Sequence, residues 1–192
     1  MREFASRGLR LWNLSREAKL VYTGFCLCAL LALLSSIALF EDMVGLSGSG
    51  TRRYYRGDDA PTAAATGNTG GPKIEMPDEV KDAAPLTVAP SYRKLLEVSH
   101  FHLFTVPVFL LIIAHLFLLT DVSSRGKTAW IVAGWLSSLL HLAAPWLCRY
   151  GGPRAAPLFP LSGAAMTVAL TVMTAYPLWQ MWARKPTRPA RE

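Results

Sequence analysis

The chain has 192 residues, of which 52% are hydrophobic and only 17% charged. A soluble domain carries about 25% charged residues, and here the apolar ones gather into four blocks near 20–40, 98–120, 128–148 and 158–182. Each block has about the 20 residues a helix needs to cross a bilayer core, which argues against a water-soluble globule and against a β-barrel of roughly ten-residue alternating strands.

The net charge of +7 invites a nucleic-acid reading, but its distribution points to a bilayer. With a cytoplasmic N-terminus, the inner segments hold eleven Lys/Arg against four acids, while the outer segments hold nine of each. Basic excess on one side is the positive-inside pattern and an attraction to anionic lipid, so no nucleic-acid partner is expected. The fold expected is an all-α integral membrane protein. Four transmembrane helices run up-down-up-down, with both termini cytoplasmic and one long periplasmic loop. The bacterial inner membrane is the expected location.

In chain order, residues 1–19 are basic, with Phe4, Leu9, Leu11, Trp12 and Leu14 among the charges. This predicts a cytoplasmic segment lying on the membrane surface. The first span follows at 20–40. It exceeds the apolar region of a signal peptide and ends at Glu41-Asp42 rather than at small residues, which predicts an uncleaved anchor. Cys26 and Cys28 lie in its inner half and Cys148 lies at the outer face. No pair is placed for a disulfide, no C-x-x-C-H or zinc spacing occurs, and the three read as small buried hydrophobes.

Residues 41–97 form the periplasmic loop. Its first half is rich in Gly, Ser, Thr and Ala around Thr51–Asp59, and without apolar periodicity it is expected to order only on a partner. Its second half reads as short amphipathic pieces broken by Pro77, Pro85 and Pro90. Ser91 offers an N-cap, predicting one helix from there to Thr120 that contains the span at 98–120. Residues 121–127 make a short cytoplasmic loop with Gly126 at its turn, which makes the next span, at 128–148, an antiparallel neighbour. A periplasmic turn at 149–157, the last span at 158–182 and a tail at 183–192 complete the chain. Trp130, Trp146, Tyr150, Trp179 and Trp182 fall at span ends as an aromatic belt.

All four histidines lie in spans, and an ionisable residue inside a bilayer is a candidate functional residue. At 1.5 Å per residue, His100 is about 3 Å, His102 about 6 Å and His141 about 9 Å below the outer boundary, whereas His115 is about 25 Å down. A haem b held between two helices needs two imidazoles at similar depth. His102 with His141, or His100 with His141, meets that test, and His115 with His141 does not. His100 and His102 are roughly 200° apart around the helix, so one of them faces His141. The third span has no histidine for a second, deeper haem. The competing reading is structural, with neutral imidazoles satisfied on backbone carbonyls, Thr105, Ser137 or Ser138. Copper at Cys26, Cys28, Met43 and the histidines is set aside because the depths do not converge.

No catalytic motif occurs and no carboxylate lies mid-membrane, so no enzyme activity of its own is expected. The run Leu95–Phe104, closing at Ala114–Thr120, resembles small bacterial four-helix inner-membrane proteins associated with c-type cytochromes and respiratory electron-transfer complexes. The outer segment Tyr54-Tyr55-Arg56-Gly57 is similar to theirs as well. The resemblance implies an electron-transfer setting, a b-type haem and a role for His100, His102 and His115. The function expected is an accessory integral subunit of a respiratory or photosynthetic complex, with other membrane subunits and a periplasmic or c-type cytochrome as partners and one haem b near the periplasmic face. A haem-free scaffold is the first alternative. The second is a quinol-facing subunit using His100 or His102 with Tyr92 or Glu97 nearby.

Overall fold

The computed structural model describes residues 10–45, 48–57 and 87–185. The expected surface segment over residues 1–9, the amphipathic pieces around Pro77 and Pro85, and the tail from 186 onward lie outside them. Among the described residues there are five α-helices: α1 (Arg16–Met43), α2 (Gly48–Arg56), α3 (Tyr92–Leu118), α4 (Ser124–Tyr150) and α5 (Leu158–Ala183). Four of them, all but α2, are long and apolar enough to span a bilayer. No more than 28% of any span's most apolar window is fully buried within the protein, so each span keeps apolar surface for lipid, as expected where neighbouring helices and lipid are equally apolar.

Serine sets three of the helix starts. Ser15, Ser91 and Ser123 accept from the backbone N–H three residues on, each at 3.2 Å, which satisfies one orphan donor per helix. α1 therefore starts four residues before the expected span and runs past Glu41-Asp42. It stops where Gly45 takes φ +72° and returns its N–H to Phe40 O at 3.1 Å. Gly126, expected at a turn, lies inside the first turn of α4, because the Ser123 cap begins the helix before it.

α5 is the centre of the bundle and packs on α1, α3 and α4. Leu110, Ile113 and Phe117 of α3 meet Leu170 and Met173 of α5 in the main core. Contacts between opposite ends of neighbouring helices set their direction. Trp146 of α4 donates to Ser99 of α3 at 2.7 Å, His141 of α4 meets Ser162 of α5, and Phe40 of α1 packs on Phe159 of α5. Neighbours thus run antiparallel, and the molecule has a His141 end and an Asp121 end.

The segment around Thr51 departs from expectation. It forms α2 and docks on the bundle, with Thr51 fully buried and Tyr55 nearly so. The cause is aromatic. Tyr55 packs edge-on against Tyr54 at 4.9 Å and Phe159 at 5.1 Å, and shares a cluster with Leu95 and Cys148. Two tyrosines in a polar stretch carry no periodic signal, yet together they bury enough area to seat one short helix.

The Asp121 end is closed by a polar clasp. The Asp121 carboxylate pairs with Arg184 and accepts from Gln180 and from the Tyr176 hydroxyl. Its backbone N–H donates to Gln180 Oε1 at 3.2 Å. Arg184 also lies over the Trp12 ring, 5.1 Å from its centroid. Lys19 donates to Trp12 O at 2.9 Å, and Lys127 donates to Leu118 O at 2.7 Å. Burial opposes ionisation of Asp121, but the Tyr176 and Gln180 hydrogen bonds and the Arg184 charge outweigh it and hold the carboxyl below its ordinary range.

Candidate functional site

At the His141 end a cavity of about 330 Å³ lies among α1, α3 and α4, beside Phe159 and Met166 of α5 and against Tyr54 and Tyr55 of α2. Its walls are largely apolar. Leu39, Leu103 and Leu139 line it and are themselves 58%, 55% and 54% exposed, so the cavity communicates with the lipid-facing surface. Burial pushes the Tyr55 phenol up, with Tyr54 and Cys148 adding to it, so this wall stays uncharged.

Both His102 and His141 line this cavity. Their bonding fixes their tautomers. His102 Nδ1 lies 2.8 Å from the Val98 carbonyl, an oxygen that only accepts, so Nδ1 carries the proton. His141 Nδ1 lies 3.2 Å from Ser162 Oγ. Ser162 gives its own proton to the Phe159 carbonyl at 3.1 Å, so it accepts from His141 Nδ1–H. In both rings Nε2 is left with its lone pair. The His141 ring is stacked on Phe159 at 4.6 Å, and Gly163 makes room for it: a methyl there would sit 3.1 Å from the ring's Cε1.

The other candidates lie elsewhere. His100 is exposed, packs edge-on against Phe104 at 5.1 Å and does not line the cavity. His102, also exposed, lies on the part of the helix that lines the cavity, and the helical rotation between the two residues turns His100 away from it. His115 is exposed and bonds to its own helix at Leu111 O, 2.8 Å. Tyr92 packs edge-on against Trp146, and Glu97 pairs with Lys94 at 3.6 Å on the surface, so neither accompanies an imidazole in the cavity. Among the described residues no group of three metal-ligating side chains occurs. Cys26, Cys28 and Cys148 are free thiols, the first and last buried and Cys28 exposed.

Ser138 completes the site. It is 4% exposed, lines the cavity, and its hydroxyl has no hydrogen-bond partner. A serine inside a helix usually returns its proton to its own backbone, as Ser137 does to Ala133 O at 2.6 Å. Pro107 and Pro145, also in the lining, lack the N–H that the carbonyls of Leu103 and His141 would otherwise accept. Sequence reasoning named Ser138 only as a partner for histidine and missed Ser162. A depth count on the last span would have found the latter, since Ser162 falls about 6 Å below a boundary at Leu158.

A family model described as a transmembrane helical domain matches residues 45–188, which take in α2 through α5. The chain belongs to that family, and it is a multi-pass membrane protein with four candidate spans. No curated protein matches it, and no solved structure does.

Proposed function

We propose that this protein is an accessory, non-catalytic subunit of an electron-transfer complex in the bacterial inner membrane. In this reading it holds a redox ligand in the cavity between His102 and His141. The observation that carries it is the pair of Nδ1-protonated imidazoles on one apolar cavity near the helix ends. A hydrogen-bond acceptor on Nδ1 is what orients a histidine whose other nitrogen serves a ligand. The positive-inside count supports a periplasmic position for this cavity, where a cytochrome partner would meet the docked helix α2.

His102 and His141 are the residues that would hold one haem b, and the haem would supply one-electron transfer there. The alternative is a smaller lipid-soluble redox ligand. It is favoured by the Ser138 hydroxyl, which a porphyrin edge does not satisfy, and by a cavity near the lower end of the 300–1,000 Å³ range of small-molecule sites.

Gentle detergent extraction followed by a reduced-minus-oxidised absorbance spectrum tests this. An α-band in the b-type region that disappears in both His102→Ala and His141→Ala supports haem. Its absence with haem in full supply removes haem. A chain that runs alone, with neither chromophore nor partner, removes the subunit reading.

A further inference from the structure

We propose that the cavity binds a lipid-soluble hydroquinone, an aromatic ring bearing two hydroxyls and an apolar tail, and that it prefers this reduced form to the quinone. The inference rests on the reading of the cavity as a ligand site and names its ligand class.

The polar groups in the cavity select it. His102 Nε2 and His141 Nε2 are both acceptors, because both Nδ1 atoms are committed as donors. Ser138 adds one hydroxyl that is buried, unpartnered and able to donate or accept. A ligand with two O–H groups meets two acceptors and a third adaptable partner. A quinone, which only accepts, meets Ser138 alone and leaves two imidazole lone pairs facing carbonyl oxygens.

Anionic headgroups fit poorly. Among the described residues that line the cavity, Lys94 is the single lysine or arginine, and it is paired with Glu97. The walls suit a flat ring, with Phe40, Trp135 and Phe159 contributing aromatic faces or edges. The exposed rim at Leu39, Leu103 and Leu139 gives an apolar tail a way out to lipid.

The test uses the full-length chain in lipid nanodiscs with decylbenzoquinol and decylbenzoquinone as probes, followed by thermal denaturation. The quinol should raise the midpoint at concentrations where the quinone barely does. Ser138→Ala should weaken quinol binding roughly two- to tenfold, the worth of one hydrogen bond, without harm to the fold, since alanine suits that helix. His102→Phe and His141→Phe should erase the preference for quinol, and His115→Phe should leave it intact. Equal shifts with both probes, or undiminished quinol binding in Ser138→Ala, would overturn the proposal. An α-band from bis-histidine haem would overturn it too, while leaving the cavity a ligand site. No shift with either probe and no α-band would sink both readings together.

Discussion

A neutral histidine in an apolar setting needs an acceptor for its N–H, and His115, His102 and His141 find one in different places. His115 spends Nδ1 on its own helix and turns outward. His102 does the same with Nδ1 but lines the cavity, and His141 bonds across helices to Ser162. Depth counting from a rise of 1.5 Å per residue made the level of His102 and His141 legible in the sequence. It did not show Ser162 or Phe159, because contacts between α4 and α5 depend on helix rotation. Ser162→Ala should remove the His141 acceptor and let the ring change tautomer. The expected result is a loss of about 1 kcal/mol in stability, and ligand loss beyond what that accounts for. Chemical denaturation and binding on the same sample separate the two. At the other end, Asp121 ionises more readily when folded than when unfolded. Its contribution is present above the ordinary carboxylate pKa of about 4 and is lost as pH falls through the lower folded value. Asp121→Asn should cost roughly 2 kcal/mol at neutral pH and flatten the acid side of a midpoint-versus-pH curve. A variant curve parallel to wild type would contradict this.

Among the helices, the long ones were readable because apolar length alone identifies a span, and serine caps then fix where α1, α3 and α4 begin. α2 was not readable. Its polar glycine- and arginine-rich sequence has no core periodicity, and only docking of Tyr55 against Phe159 gives it a place. Removing a core aromatic costs about 3–5 kcal/mol, more than a nine-residue helix can spare when isolated helices under about 12 residues are marginal. Tyr55→Ala should therefore release α2 while the four long helices persist. Hydrogen exchange should rise across 48–56 and stay unchanged in the cores of α3 and α5. Protection retained across 48–56 would show that α2 is held by something other than this ring.

The whole molecule is a lipid-exposed bundle organised around α5, tied at one end by Asp121 and hollow at the other. That asymmetry suits a protein that stays rigid at one membrane face and accepts a ligand near the opposite one. The count of basic residues predicts which face is which. A reporter fused before residue 1 and another inserted near residue 60 should label opposite sides of the membrane, and both reporting one compartment would remove the periplasmic placement of the cavity. The central claim is that His102 and His141 share one ligand, and native mass spectrometry of the full chain released from its own membranes tests it most directly. The account predicts a bound non-polypeptide mass on the wild-type chain that is gone from the His102→Phe/His141→Phe double variant. A bare wild-type chain, or the same adduct retained by a folded double variant, would contradict it.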